Sequence, residues 1–425
     1  MRADTTPPHG WTRRWRRFAF VAIVGSPLLT GCGGDGGGSG PPTGPVDDLR
    51  DRALAAGLAP LPSTPIYPVD NPYMEEKVQL GRLLFFDPIL SGPMDVACST
   101  CHLPRFAFAD GRQFPSGAGA TGLGPERTDP GPPPLRLMER NSPPVFNIGL
   151  FGRGSPTPTT NSTMFWSGSA FGLEDQVLNP IAADKELRGM TYAKPVAVDS
   201  VLVRLRAIDD YVDRFLVAFP DVAGAVGGDP ERLLTHTTLR SALAAYVREL
   251  VTPNAPVDRF LSGDATALTQ AQRRGLELFI GEAGCVDCHR GPVLSDFTMR
   301  VIGGAQEGLG RDTTPGDDLG WGEHGGTPYS FRVPPLRQVA ETAPYLHAGT
   351  EADLMGLLRF KNRGVSEHPS VPDSKLDPAV KPLGLSELQL QDLRAFLEAL
   401  TDSQTIQDEL FQAPATVPSG LTVPK

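Results

Sequence analysis

Two short stretches carry the chemistry: CSTCH at residues 98–102 and CVDCH at residues 285–289. Two thiols and a histidine at this spacing could hold zinc, cycle a disulfide or anchor a haem. A zinc site needs four ligands, usually from two such pairs close in space. Here the motifs begin 187 positions apart, and each brings its own histidine. A redox dithiol needs neither the trailing histidine nor a repeat. CxxCH is the attachment signature of c-type haem: the thiols add across the vinyl groups and the histidine ligates iron. Cys98, Cys101 and His102 are therefore expected to bind one haem, and Cys285, Cys288 and His289 a second. His102 and His289 would be the iron ligands.

The elements that must position these groups read as helices and long connections. The pattern from Met74 to Phe86 is helical and leads toward CSTCH. Residues 115–134 (PSGAGATGLGPERTDPGPPP) and 152–163 (GRGSPTPTTNST) are too rich in Gly and Pro for regular structure and read as loops. Val201, Leu205, Ile208, Val212, Phe215 and Phe219 recur at helical steps, and Leu239, Leu243, Tyr246, Val247 and Leu250 continue the habit. Thr252-Pro253-Asn254 then breaks the chain. A helix over Thr269 to Phe279 leads into CVDCH. The last helix starts at a capping box, Ser386 with Gln389, and buries Leu390, Leu393, Phe396, Leu397 and Leu400. No segment has a strand period. The expected fold is mainly α, with two cytochrome c-like haem domains joined across an interface and long Gly/Pro-rich loops. The domains are expected at residues 71–252 and 253–402, with a tail at 403–425.

The N-terminus reads as an export signal over residues 1–31. Arg13, Arg14, Arg16 and Arg17 precede an apolar run from Phe18 to Leu29 that is too short to span a bilayer. It ends in Leu29-Thr30-Gly31-Cys32, which resembles a bacterial lipobox. Cleavage there would leave Cys32 as the lipidated residue, at the head of a flexible tether over 32–70; the alternatives are an ordinary secretory signal with a chance cysteine and a twin-arginine signal. The location expected is the periplasmic side of a bacterial membrane, held by a lipid anchor. Cys32 is the fifth of five cysteines, so none remains for a disulfide outside the motifs. The net charge of −10 argues against a nucleic-acid partner.

Between about residues 72 and 402 the chain resembles the bacterial dihaem cytochrome c peroxidases. It is similar too to their protein-oxidising relatives that mature tryptophan-derived quinones. The resemblance rests on LGRLLFFDPILSG, CSTCH, RNSPPVFN, FWSGSAFGLEDQ, CVDCH, PPLRQVAETAPYLHAG and LDPAVKPLGLSELQLQDLRAFLEAL. It implies that the haem at His102 is the peroxidatic one and that at His289 the electron-entry one. It assigns Trp166 to electron relay between them, Gln176 to the peroxide pocket and Glu186 to proton work on peroxide. It also implies a calcium ion held by the Asn141 side chain and the carbonyls of Thr342 and Pro344. A carboxylate lifted by burial suits the proton step. Taken alone, Glu186 would be a surface charge, Trp166 a core aromatic, Asn141 a turn residue and Gln176 a solvated helix position.

Two departures stand out. Many family members close the peroxidatic haem with a histidine in the loop after the first motif, but none lies between His102 and His236. The first haem is then expected to need no reductive activation. The sixth ligand of the second haem, methionine or tyrosine in the family, falls on Lys361 in LLRFKNRG. Lys361 shares a helical face with Leu354, Leu357 and Leu358 and could bind iron as a neutral amine, or snorkel to solvent. Met355 and His368 are reserves.

The activity expected is reduction of hydrogen peroxide to water. Electrons come from a small redox protein, a cytochrome c or a copper protein, through the second haem. The alternatives are a dihaem oxidase that modifies a side chain of a partner protein, and a non-catalytic dihaem electron-transfer cytochrome. Family members are often dimers; no sequence feature marks a homodimer surface.

Overall fold

The computed structural model describes residues 45–129, 137–150, 163–306 and 317–425. Cys32 and the export signal lie outside the described residues. Helices dominate, as the periodicity predicts. Strand is confined, among the described residues, to two antiparallel pairs of two residues each. β1 (Thr163–Met164) pairs with β2 (Ala170–Phe171), and β3 (Met299–Arg300) with β4 (Phe331–Arg332).

Two hydrophobic cores each enclose one CxxCH motif. In the first, the helix Glu75–Phe86 lies against the helix His236–Glu249, and Cys98 packs on the cluster containing Leu84, Phe85, Leu239, Leu243 and Tyr246. In the second, the helix Gln270–Ile280 lies against Glu387–Glu398, and Cys285 packs on the cluster containing Leu276, Phe279, Leu393 and Phe396. The capping box read at Ser386 is present: its N–H donates to Gln389 Oε1 at 2.9 Å. Thr269 and Gln272 repeat it at the other helix, at 2.8 Å.

The two crossings share one device. A Cβ at Gly81 would stand 2.0 Å from the Ala242 carbonyl oxygen, and one at Gly275 2.0 Å from that of Asp392. Only hydrogen fits between the backbones. Since each crossing sets the helix that delivers a haem motif, Gly81→Ala and Gly275→Ala should each lower stability by about 1–3 kcal/mol in urea unfolding. Unchanged midpoints in both variants would refute the close-approach argument.

The chain ends differ from the sequence reading. The tether expected to run to residue 70 gives way at Pro45–Ala55 to a helix whose Leu49 and Ala53 are buried in the second core. Leu58 joins them, and the Leu61 N–H donates to Asp258 Oδ1 at 2.8 Å. Arg50 Nε–H donates to the Leu261 carbonyl at 2.9 Å and Arg52 pairs with Glu277 at 2.6 Å, so apolar and polar contacts dock the segment together. The tail at 403–425 is anchored as well. Phe411, Val417 and Val423 are buried in the first core, and the Ser419 hydroxyl donates to buried Asp87 at 2.6 Å.

Candidate active site

The first motif begins as one helical turn, Cys98–Cys101, fixed at its start by the Ala97 N–H donating to the Thr100 hydroxyl at 3.0 Å. The turn delivers His102, whose Nδ1 lies 2.9 Å from the Phe108 carbonyl. A carbonyl can only accept, so Nδ1 carries the proton and Nε2 presents a bare lone pair. Burial lowers the His102 pKa, which keeps the ring neutral. The second motif repeats the device: His289 Nδ1 lies 2.9 Å from the Leu294 carbonyl, and burial pulls that ring down to about 4. A locked Nδ1 with a free Nε2 is the arrangement of an iron-ligating histidine. All four motif cysteines are unpaired thiols, and burial pushes Cys98 and Cys285 up to about 12. That is the reverse of the lowered pKa that drives dithiol exchange. Both sites therefore fit covalent haem.

A cavity of about 450 Å³ opens on the first motif. Cys98, Cys101 and His102 line it together with Trp166, Gln176 and Glu186. Residues scattered over 89 positions thus converge on one volume, within the size range of a cofactor pocket.

Glu186 sits in one wide turn, Asp184–Arg188, with φ −104° and ψ −106°. The turn is clamped by its neighbours: Ala118 N–H donates to the Glu186 carbonyl at 2.7 Å and Gly92 N–H to that of Leu187 at 2.8 Å. The Glu186 carboxyl forms no hydrogen bond or ion pair among the described residues. Burial first, and the nearby Asp184 charge second, raise it to about 7. Gln176 closes a short helical turn, Leu173–Gln176, on the same cavity.

Trp166 follows β1, and its Nε1–H donates to the Asn141 carbonyl at 2.9 Å. Its own carbonyl accepts the Arg332 N–H from β4 at 2.8 Å. Trp166 is thereby tied to both halves of the chain, through its indole to Asn141 and through its backbone to Arg332. Arg332, Ser142 and Met138 also line the cavity, and the sequence reading singled out none of them. The Ser142 hydroxyl donates to the Cys101 carbonyl at 2.7 Å, bracing the motif. Only a local RNSPP pattern could have pointed to it. The loop expected at 115–134 is described as far as residue 129 and reaches the cavity at Gly117.

At the second motif, Lys361 stands on the helix Leu354–Arg363. Leu354 and Leu358 are buried on that helix, as the spacing predicts. The Lys361 amine is close enough to Cys285, Cys288 and His289 for their electrostatics to be coupled, and burial draws it down to about 8. It makes no hydrogen bond or ion pair among the described residues. His368 is a poor reserve, because both ring nitrogens are engaged: Nε2 at 3.0 Å from Gln306 Oε1, and Nδ1 accepting the Ser370 N–H at 3.1 Å. Met355 packs at the edge of the second core.

The residues expected around calcium are partly brought together. Asn141 Nδ2 donates to the Arg112 carbonyl at 2.7 Å, leaving Oδ1 without a protein donor among the described residues. Pro344 and Gln113 line a second cavity of about 530 Å³. Thr342 is not among its walls; it is buried, with its hydroxyl donating to the Val339 carbonyl at 3.2 Å.

Known proteins match this arrangement. Residues 75–266 match the family described as di-haem cytochrome c peroxidase. The methylamine utilization protein MauG of Methylorubrum extorquens is 32% identical over 389 residues, covering 90% of this chain and 93% of that protein. The cytochrome c551 peroxidase of Pseudomonas aeruginosa is 33% identical over 366 residues, covering 85% and 89%. A crystal structure of a MauG-like protein associated with microbial copper homeostasis superposes with a TM-score of 0.66 at 29% identity, covering 82% of this chain and 96% of that one. With two locked histidines, two pairs of thiols and relatives that match along nearly their whole length, the chain belongs to the di-haem cytochrome c peroxidase family and is a dihaem peroxidase-like oxidoreductase with two c-type haems.

Proposed function

We propose that this chain reduces hydrogen peroxide to water at the site of Cys98, Cys101 and His102, with electrons from a small redox protein entering at His289. The observation that carries this reading is the free Glu186 carboxyl, raised to about 7, on the same cavity as His102. Haem iron supplies the redox chemistry; the chain handles protons, position and water. The Glu186 carboxylate takes a proton from one oxygen of peroxide and returns it to the other, so that the O–O bond breaks with water as the leaving group. Two electrons and two further protons complete two waters. A carboxyl near pH 7 is suited to both halves of that transfer. Gln176 offers an amide to orient peroxide. Trp166, fixed through Asn141 and Arg332, is the relay for electrons. Lys361 would supply the amine that ligates the iron of the second haem, and the Asn141 side chain with the carbonyls of Thr342 and Pro344 would hold a calcium ion. Cys32 carries the lipid that keeps the enzyme on the periplasmic side of the membrane.

A second reading, peroxide-driven oxidation of a side chain on a partner protein, is favoured by the absence of histidine between His102 and His236 and by the likeness to MauG. One experiment separates the two. Oxidised protein is mixed with peroxide, and reduced cytochrome c is then supplied as donor. Rapid, repeated oxidation of cytochrome c supports the peroxidase. A fast spectral response to peroxide without cytochrome c oxidation supports the protein-oxidising reading. No response to peroxide in any redox state would leave an electron-transfer cytochrome and sink both.

A further inference from the structure

Arg332 belongs to β4, far along the chain from CSTCH, yet it lines the cavity over that motif. It is 5% exposed. Its Nε–H donates to the Phe165 carbonyl at 3.1 Å, and its guanidinium stands 5.3 Å from the centre of the Phe297 ring. Nη1 has no hydrogen-bond partner among the described residues. The other cations on the cavity wall are matched: Arg140 pairs with Asp318 at 2.7 Å and Lys185 with Glu139 at 3.1 Å. Elsewhere, buried Arg248 pairs with Glu174 at 2.9 Å and Arg337 with Asp258 at 2.8 Å. Arg332 has no such carboxylate among the described residues. Burial alone pulls its pKa down, to about 10, with nothing opposing it.

An unpaired charge held away from water is strongly unfavourable. A fold keeps one where an anion arrives later. Haem brings two propionate carboxylates, and a guanidinium is the group best shaped to take one. We propose that Arg332 Nη1 binds a propionate of the haem attached at Cys98 and Cys101, and so fixes the edge of that haem beside Trp166. Arg332 is then a positioning residue. Its backbone N–H orients Trp166 while its side chain holds the cofactor, which ties relay and haem to one strand residue. The inference rests on haem occupying both motifs, and haem content is measured separately to keep the two claims apart.

The test is a spectroelectrochemical titration of the fully haem-loaded protein, wild type against Arg332→Gln and Arg332→Lys, with haem counted by the pyridine haemochrome assay. Losing the cation leaves a bare carboxylate beside the iron, which favours the oxidised, more positive state. In Arg332→Gln the midpoint of the first haem should fall while that of the second holds, and Arg332→Lys should recover part of the shift. Two unchanged midpoints, or movement of the second haem alone, would overturn the proposal. Should Arg332→Gln load fewer than two haems, the resonance Raman propionate-bending band of Arg332→Lys decides. A shifted band supports the contact and an unshifted one overturns it. A small anion from solution is the other source of negative charge. A wild-type midpoint that changes when chloride is exchanged for phosphate at fixed ionic strength, and stops doing so in Arg332→Gln, would replace the propionate by that anion. Fewer than two haems in the wild type would instead strike the reading on which the inference rests.

Discussion

Replacing Glu186 by glutamine is expected to cut peroxide turnover by about 10²–10⁴-fold, the usual worth of a positioned acid–base group. Haem content should stay at two per chain, because Glu186 is none of the thiols or histidines expected to hold haem. The pH profile gives the finer test. The carboxylate must be present to accept the first proton, so wild-type turnover should rise with pH through about 7 and then level. The glutamine variant should lose that limb. The same burial has a stability signature. A carboxyl whose folded pKa is raised above its unfolded value favours the fold below the unfolded pKa, and that contribution is lost as pH rises through the folded pKa. Glutamine cannot ionise. The unfolding free energy of Glu186→Gln relative to wild type should therefore be more favourable at pH 8 than at pH 5. A variant that kept full turnover, or a difference independent of pH, would remove Glu186 from the proton step.

The two haem motifs were legible because their chemistry is local: five adjacent residues carry thiols and histidine together. What the sequence lacks is the acceptor that sets each tautomer. The Phe108 and Leu294 carbonyls lie six and five residues downstream, in segments without a motif. Trp166, Gln176 and Glu186 were legible through joint spacing within the resemblance, and the fold brings all three to one cavity wall. Arg332 was not. In FRVPP it looks like an ordinary basic residue at a strand end, and its significance comes from Phe165 and Trp166, reached only across the tertiary fold. The helix at Pro45–Ala55 was hidden for a similar reason: charged residues interrupt its apolar ones, and what docks them is the distant second core. The Lys361 face was legible since a helix repeats every three to four residues whatever its surroundings.

Replacing Lys361 by alanine should abolish the six-coordinate, low-spin signature of the second haem in electron paramagnetic resonance, with the signal of the first haem unchanged. The argument begins with the helix Leu354–Arg363. Asp353 caps it, its Oδ1 accepting the Gly356 N–H at 2.8 Å, and Gly364 ends it with φ +58°. Both ends being fixed, Leu354 and Leu358 turn inward and carry Lys361 round with them toward Cys285, Cys288 and His289. Burial shifts the amine toward its neutral form, which is the form that binds iron. The competing histidine is tied by both nitrogens to Gln306 and Ser370. Lys361→Met makes the complementary case. Methionine has nearly the same reach, is the ligand of many relatives, and raises haem potential. Axial ligands tune that potential over about 0.8 V, so this exchange should produce the largest single change in the redox titration, upward and confined to the second haem. It should also make the protein a better acceptor from reduced cytochrome c. Identical resonance spectra in the wild type, the alanine variant and the methionine variant would show that Lys361 turns to solvent, and that some other group completes the second haem.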